Sequence, residues 1–197
     1  GAGKTTLIKI LSALLSPTSG TIKIAGKELR KDGEEIRKKI GLLSHNSFLY
    51  PNLTAQENLK FYGNIYGLAR FEARIREVLE EVGLHERRGD LVRTYSRGML
   101  QRLAIARAML HEPEIIFLDE PYTGLDQHAA ITLRKILSRL HDGNRSIVMT
   151  THNIQRGLEL CDSVAIQVSG RIVHRELTDT VDRGNFETLY FDSVEGN

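Results

Sequence analysis

The 197 residues contain a single cysteine, Cys161, so no internal disulfide can form. That suits a reducing compartment. No apolar run approaches the roughly 20 residues that a bilayer-spanning helix needs, and no secretory signal precedes the first motif. If the protein acts at a membrane, another segment or subunit must carry the spanning helices. Charge of one sign is not in excess either. The 27 Lys and Arg residues stand against 25 Asp and Glu, a formal net charge of +2. Bulk charge therefore does not point to nucleic acid. Internal repeats and low-complexity tracts are also missing.

What is present describes an ordinary globular domain. The hydrophobic fraction is 41%, and the length is ample for one core with room for a subdomain. Leu7, Ile8, Ile10, Leu11 and Leu14 fall at helical spacing, which predicts a helix over 5–15, stopped by the turn cluster Pro17-Thr18-Ser19-Gly20. Residues 21–24 alternate as a half-buried strand, and 40–43 form a short apolar strand. Thr54-Ala55-Gln56-Glu57 has capping-box spacing, so a helix starts there and runs toward Tyr66. Helices are predicted over 71–82, from Ser96 through Met109, and over 126–140. Residues 115–118 and 146–150 read as strands, the former a buried parallel one. Ser169-Gly170 joins 163–168 to 171–175 as a hairpin, and residues after Leu177 are polar and poorly patterned. Strands alternate with helices around a mostly helical block, the pattern of a parallel α/β core carrying a helical insertion.

Three segments carry chemistry. Gly1-Ala2-Gly3-Lys4-Thr5-Thr6 is the back half of a phosphate-binding loop. Its glycines let backbone N–H groups close on phosphate oxygens, and the helix N-terminus adds a positive dipole. Lys4 can reach the terminal phosphates, and the Thr5 hydroxyl suits Mg²⁺. The full pattern needs a glycine ahead of Gly1. The chain opens inside the motif, so it reads as a fragment or trimmed chain, an N-terminally truncated domain. Ile115-Ile116-Phe117-Leu118-Asp119-Glu120 supplies the matching acids. Asp119 at a strand end can hold the Mg²⁺ shell, and Glu120 can polarise a water for attack on a γ-phosphate. Ser96 and Gly98 begin a helix N-terminus that can form a second phosphate cradle.

The segment Tyr95-Ser96-Arg97-Gly98-Met99, followed by Gln101-Arg102-Leu103-Ala104-Ile105-Ala106-Arg107-Ala108, resembles the signature of the ATP-binding-cassette (ABC) ATPases. Ser96 and Gly98 match that signature; Arg97 stands for a glycine and Tyr95 for a leucine. Thr123-Gly124-Leu125-Asp126 resembles the family's D-loop, and His152 its switch histidine, which contacts the γ-phosphate. The resemblance covers Gly1 to about Val173. It implies a P-loop NTPase (RecA-like) fold: an α/β parallel-sheet core, about 1–50 and 114–176, a helical subdomain, about 51–113, and a C-terminal tail, 177–197. It implies ATP and Mg²⁺ as cofactors, with Glu120 and His152 catalytic and Thr5 and Asp119 on the metal. ATP-binding positions would be Gly1, Ala2, Gly3, Lys4, Thr5, Thr6, Ser96, Arg97, Gly98 and Asp126, together with the joint residues His45 and Asn46. It implies a homo- or heterodimer of ATPase domains that sandwiches two ATPs and drives membrane-spanning permease subunits. Such a subunit sits peripherally on the cytoplasmic face of the inner membrane and binds no nucleic acid. Arg97 leaves open whether the two sites are alike. The missing N-terminal part would hold an adenine-stacking aromatic and the strand into the loop, so these residues alone are expected to bind ATP weakly or to fold poorly.

Competing classes separate on length. Chromosome and repair members of the family insert a very long coiled coil, for which the roughly ninety residues between Lys4 and Ser96 leave no room. Translation-type members carry two cassettes. A purely binding regulator has no use for Glu120 with His152. In the joint Ser44-His45-Asn46, where the family usually has Gln, two readings stay open. Either His45 orients the water, or Asn46 supplies the oxygen that hard Mg²⁺ prefers. The His-carboxamide pair and Tyr122-Thr123 resemble the ATPase subunit of the haem exporter of cytochrome c maturation. The alternative is a multidrug, polysaccharide or lipid exporter. Phe48, Tyr50, Phe61 and Tyr62 form either a groove for the membrane subunit or, for the last two, core of the helical lobe.

Overall fold

Three short apolar runs build the sheet on which the site rests. The computed structural model describes residues 1–44, 46–141 and 145–195. Numbering all strands and helices in chain order, β3 (Ile40–Leu43), β4 (Ile115–Asp119) and β5 (Ser146–Thr150) pair in that spatial order, both pairs parallel. Register places Leu43 beside Leu118 and Asp119 beside Thr150, so the strands end together. Helices cover both faces, as parallel strands require. Phe117 packs with Ile8, Ile36 and Ile40 beneath α1 (Lys4–Leu11) and α2 (Gly33–Lys38). Ile116 and Leu118 point the other way, into the larger core. That core is filled by α3 (Ala55–Ile65), α4 (Glu72–Glu81), α5 (Arg97–Met109) and α6 (Gln127–Leu140).

Two antiparallel hairpins complete the strands: β1 (Lys23–Ile24) with β2 (Lys27–Glu28), and β6 (Ser163–Val168) with β7 (Arg171–Leu177). α7 (Ile154–Leu160) and α8 (Arg183–Glu195) pack with β6 around Leu158, Ile166, Val168 and Phe186. α3 starts as its sequence predicts. Thr54 Oγ1 accepts from Glu57 N–H at 3.2 Å, and Glu57 Oε2 accepts from Thr54 N–H at 2.8 Å.

Some expectations differ from the structure. α1 ends at Leu11 rather than Leu15, because Ala13 turns left-handed (φ 59°) and the N–H groups of Leu14 and Leu15 both fold back to Lys9 O. The strand over 21–24 shrinks to two residues before the left-handed pair Ala25 and Gly26 reverses the chain. The stretch after Leu177 is not patternless chain. Asp182 Oδ1 accepts from Gly184 N–H at 3.0 Å, and buried Phe186 anchors α8 on the hairpin.

α5 presses directly on β3. A Cβ on Gly41 would lie 2.5 Å from Ala108 O, so only glycine permits the approach. One residue earlier, His111 Nε2–H donates to Ile40 O at 2.9 Å, and the ring stacks on Tyr66 with centroids 4.2 Å apart. Burial pushes the His111 pKa below its ordinary 6.5, against the raising effect of the Ile40 hydrogen bond. The unfolded chain therefore takes up the proton first. His111 costs nothing above pH 6.5 and withdraws stability as pH falls from there toward the depressed folded value. Urea unfolding at stepwise lower pH should show that loss, with a slope of at most about 1.4 kcal/mol per unit from this group. His111→Gln should flatten it, and an unchanged slope would remove His111 as the cause.

Candidate functional site

The phosphate-loop residues sit at an uncapped helix start. Gly3, at φ 92°, is the N-cap of α1, which has no side-chain cap and no acid in its first turn. Its first N–H groups are thus left for an anion. Ala2 O accepts from Gly170 N–H at 2.9 Å, and a Cβ on Gly3 would meet Gln167 Nε2 at 3.3 Å, so the β6–β7 hairpin backs the loop. Thr5 and Thr6 are exposed at the helix start, and Lys4 and Ala2 are partly exposed.

The acids lie at the ends of β4 and β5. Asp119 is 5% exposed, and its Oδ1 accepts from Thr150 Oγ1 at 2.6 Å. Glu120 turns left-handed at φ 50°, a conformation that costs a non-glycine residue free energy. It is held there by its N–H, which donates to Thr150 O at 3.1 Å, and by its carbonyl, which accepts from Thr123 N–H at 3.1 Å. The turn swings the Glu120 side chain to His152, whose Nδ1 donates to Oε2 at 2.8 Å in the tautomer that fits the pair. A carboxylate oriented by an imidazole, one residue from a buried second carboxylate, suits activation of a water beside a polyanion.

The signature residues form a second group. Ser96 caps α5, its Oγ accepting from Met99 N–H at 3.3 Å. Asp126 caps α6, its Oδ1 accepting from Ala129 N–H at 2.7 Å. The two helix starts touch, since a Cβ on Gly98 would lie 2.8 Å from Ala129 Cβ. Arg97 lies over Gly124: a Cβ there would be 2.3 Å from the guanidinium carbon. Gln101 Nε2 donates to Pro121 O at 2.7 Å and so ties this group to the chain leaving Glu120. Tyr95 has a structural reason, being buried with its hydroxyl donating to Arg87 O at 2.7 Å.

Asn46 is exposed three residues beyond β3, and its backbone carbonyl accepts from Ser44 Oγ at 2.9 Å. His45 lies outside the described residues. Beyond the joint, Phe48, Tyr50 and Phe61 are exposed, Tyr50 meeting Phe61 edge-on at 4.8 Å, while Tyr62 packs against the core.

Two further residues escape a reading of the sequence. Asn58, fully buried, holds the loop 50–54 through its carboxamide. Arg107, 6% exposed, donates to Leu42 O at 2.7 Å. Both sit in runs that read locally as helix, and their partners are distant in sequence or in loops. Tyr122, next to the acids, is buried. Its ring lies under the Arg156 guanidinium at 4.6 Å, and burial pushes its hydroxyl up to about 12.

The residues fit a Mg²⁺–nucleotide rather than a metal held by protein alone. Among the described residues no three His, Cys, Asp or Glu side chains gather as a metal site. Mg²⁺ bound with phosphates needs only one or two protein oxygens, and Thr5 and Asp119 are of that kind.

A family model described as ABC transporter matches residues 1–123. The ABC transporter ATP-binding protein NatA of Bacillus subtilis is 37% identical over 96% of this chain and 75% of its own length. The bacitracin transport ATP-binding protein BcrA of Bacillus licheniformis is 39% identical over all of this chain and 64% of its own. Curated relatives are longer, the chain spanning 56% to 75% of the first of them. The solved structure of cbiO1 from Clostridium perfringens, part of the ABC transporter complex cbiONQ, superposes with a TM-score of 0.83 at 25% identity, covering 97% of this chain and 79% of that one. The chain belongs to the ABC transporter family. Within it, the chain corresponds to the ATP-binding domain.

Proposed function

We propose that this chain is the ATP-driven motor of an exporter that moves amphipathic, antibiotic-like or drug-like molecules. The observation that carries the reading is the Glu120–His152 pair beside buried Asp119 at the ends of two adjacent parallel strands. In this reading Gly1, Ala2, Gly3 and the first N–H groups of α1, with Lys4, hold the phosphates. Thr5 and Asp119 would hold Mg²⁺, which when bound would supply positive charge at the terminal phosphate oxygens. Glu120 accepts the proton of the attacking water as its oxygen bonds to the γ-phosphorus and the bond to ADP breaks. His152 keeps Glu120 oriented through Nδ1; contact with the γ-phosphate needs a proton on Nε2 as well, because the phosphate oxygens only accept. Ser96, Arg97 and Gly98 form the second cradle, offered to ATP on a paired ATPase domain, with Asp126 shaping the same surface. Asn46 supplies the joint's oxygen.

The partners are membrane-spanning permease subunits, docked on the exposed aromatics Phe48, Tyr50 and Phe61. No described helix is long and apolar enough to cross a membrane, which fits a peripheral subunit on the cytoplasmic face. The cargo class draws on BcrA, named for bacitracin transport. Haem export for cytochrome c-type biogenesis is the second reading, favoured by Tyr122-Thr123 and the Ser44-His45-Asn46 joint. The Tyr122 ring is taken up by packing under Arg156, which weakens one of its two supports.

The test is the full-length protein with its membrane subunits in lipid vesicles. Mg²⁺-dependent phosphate release stimulated by bacitracin is expected. No release would overturn the motor reading, and loss of c-type cytochromes in a deletion strain would favour haem.

A further inference from the structure

Arg107 is a buried cation that ATP chemistry leaves unexplained. It is 6% exposed, and among the described residues no carboxylate lies within ion-pair distance of it. Its Nε has no hydrogen-bond partner. Burying an unpaired charge is costly, and an apolar side chain of similar size would fill the space at lower cost. Packing therefore does not account for the arginine. What surrounds the guanidinium does. One edge donates to Leu42 O in β3 at 2.7 Å. Its carbon lies 5.5 Å from the centre of the Phe48 ring and 5.2 Å from that of Tyr62, both within cation–π range.

Those three contacts belong to three different parts of the chain. Leu42 is in the strand that leads into the joint. Phe48 is in the loop beyond it, with left-handed backbone at φ 54°, and its carbonyl accepts the Tyr62 hydroxyl. Tyr62 is in α3. Arg107 itself rides on α5, which Ser96 caps and whose first turn holds Gly98, and whose far end grips β3 at Gly41 and Leu42, with His111 just beyond it on Ile40. The guanidinium plane thus joins the signature helix, the strand before Asn46 and the aromatic surface. The ring that covers it, Phe48, is 45% exposed.

We propose that Arg107 is a positioning residue: through the faces of Phe48 and Tyr62 it passes docking at the aromatic surface to β3 at Leu42 and to the signature helix. This rests on the motor reading above and adds the route by which a docked partner sets turnover. A planar cation is suited to the task. It holds a carbonyl in its plane while two rings slide on its faces, which an ammonium cannot do.

The test uses the assembled transporter in vesicles, comparing Arg107→Lys, Phe48→Leu and Phe48→Tyr for basal and bacitracin-stimulated phosphate release, KM for ATP and the thermal midpoint. Arg107→Lys and Phe48→Leu should each lower stimulated kcat about tenfold, the scale of coupling carried by residues away from both ligands. KM should stay within about twofold, because neither residue touches nucleotide. Phe48→Tyr keeps the ring and should restore the rate. The double variant should be hardly slower than either single one, since both break the same stack. Multiplying losses, a loss that follows the thermal midpoint, or a rate that Phe48→Tyr does not restore would overturn the proposal. Absence of phosphate release from the wild-type assembly would instead strike the motor reading, and this proposal would fall with it.

Discussion

Glu120→Gln should lower ATP turnover by about two to four orders of magnitude, the range for removal of a general base, while ATP still binds. The substitution is close to a single-atom change. Gln keeps an oxygen that can accept from His152 Nδ1, so the 2.8 Å contact survives. It also keeps the backbone cost of φ 50°, since Gln pays the same steric penalty as Glu. The hydrogen bonds that fix the turn, to Thr150 O and Oγ1 and from Thr123 N–H, involve only the backbone of Glu120. What is lost is a site that can take a proton. Phosphate release should therefore fall with no matching fall in the thermal midpoint, and titration calorimetry should return an ATP affinity within a few-fold of wild type. Turnover within about tenfold of wild type would remove Glu120 from the proton-accepting role.

The acids were legible in the sequence because their geometry is local. A continuous apolar run ending in Asp119-Glu120 is read correctly as a parallel strand, and its register with β5 follows. The capping box of α3 and the Ser169-Gly170 hairpin were legible for the same reason, since each is fixed by a few adjacent residues. Failures came where a distant partner decides. Nothing between 178 and 197 has helical periodicity, yet α8 forms because Phe186 has the β6–β7 hairpin to pack on. α1 looked longer than it is because Leu14 continues the spacing, whereas the chain turns at Ala13 and leaves Leu14 and Leu15 exposed. Arg97 read as a misfit in the signature, and only the structure shows its guanidinium on Gly124. Arg107 read as one residue of a well-matched helix. Its burial without an acid depends on Leu42, Phe48 and Tyr62, of which the nearest in sequence is 45 positions away.

Asn58 is the stability counterpart of that hub, and Asn58→Ala should destabilise the domain by about 3 kcal/mol, several times the net worth of one hydrogen bond. The residue is 0% exposed. Its Oδ1 accepts from Tyr50 N–H at 2.8 Å, and its Nδ2 donates to Tyr50 O and Thr54 O at 3.0 Å each, with Leu53 O at 3.4 Å. One carboxamide thus satisfies both backbone groups of Tyr50 and closes the loop ahead of α3. Alanine leaves Tyr50 N–H without its partner and removes one of two donors from Tyr50 O and from Thr54 O, which keep Leu53 N–H and Asn58 N–H, so the penalty is that of an unsatisfied donor added to two weakened acceptors rather than of one exchanged bond. For a chain of this size about 3 kcal/mol lowers the thermal midpoint by roughly 6–12 °C, measurable by circular dichroism. Asn58→Asp should be at least as harmful, because a carboxylate retains the Tyr50 N–H contact but faces carbonyl oxygens where Nδ2 stood. Since Tyr50 is part of the exposed aromatic surface, freeing its backbone should also loosen that surface, so partner-stimulated turnover should fall further than basal turnover at temperatures well below unfolding. A midpoint within about 2 °C of wild type would mean that the loop is held by the Thr54–Glu57 capping box and by the bonds of Val92 N–H to Leu53 O and Arg93 N–H to Pro51 O, and that Asn58 does not carry the load assigned to it.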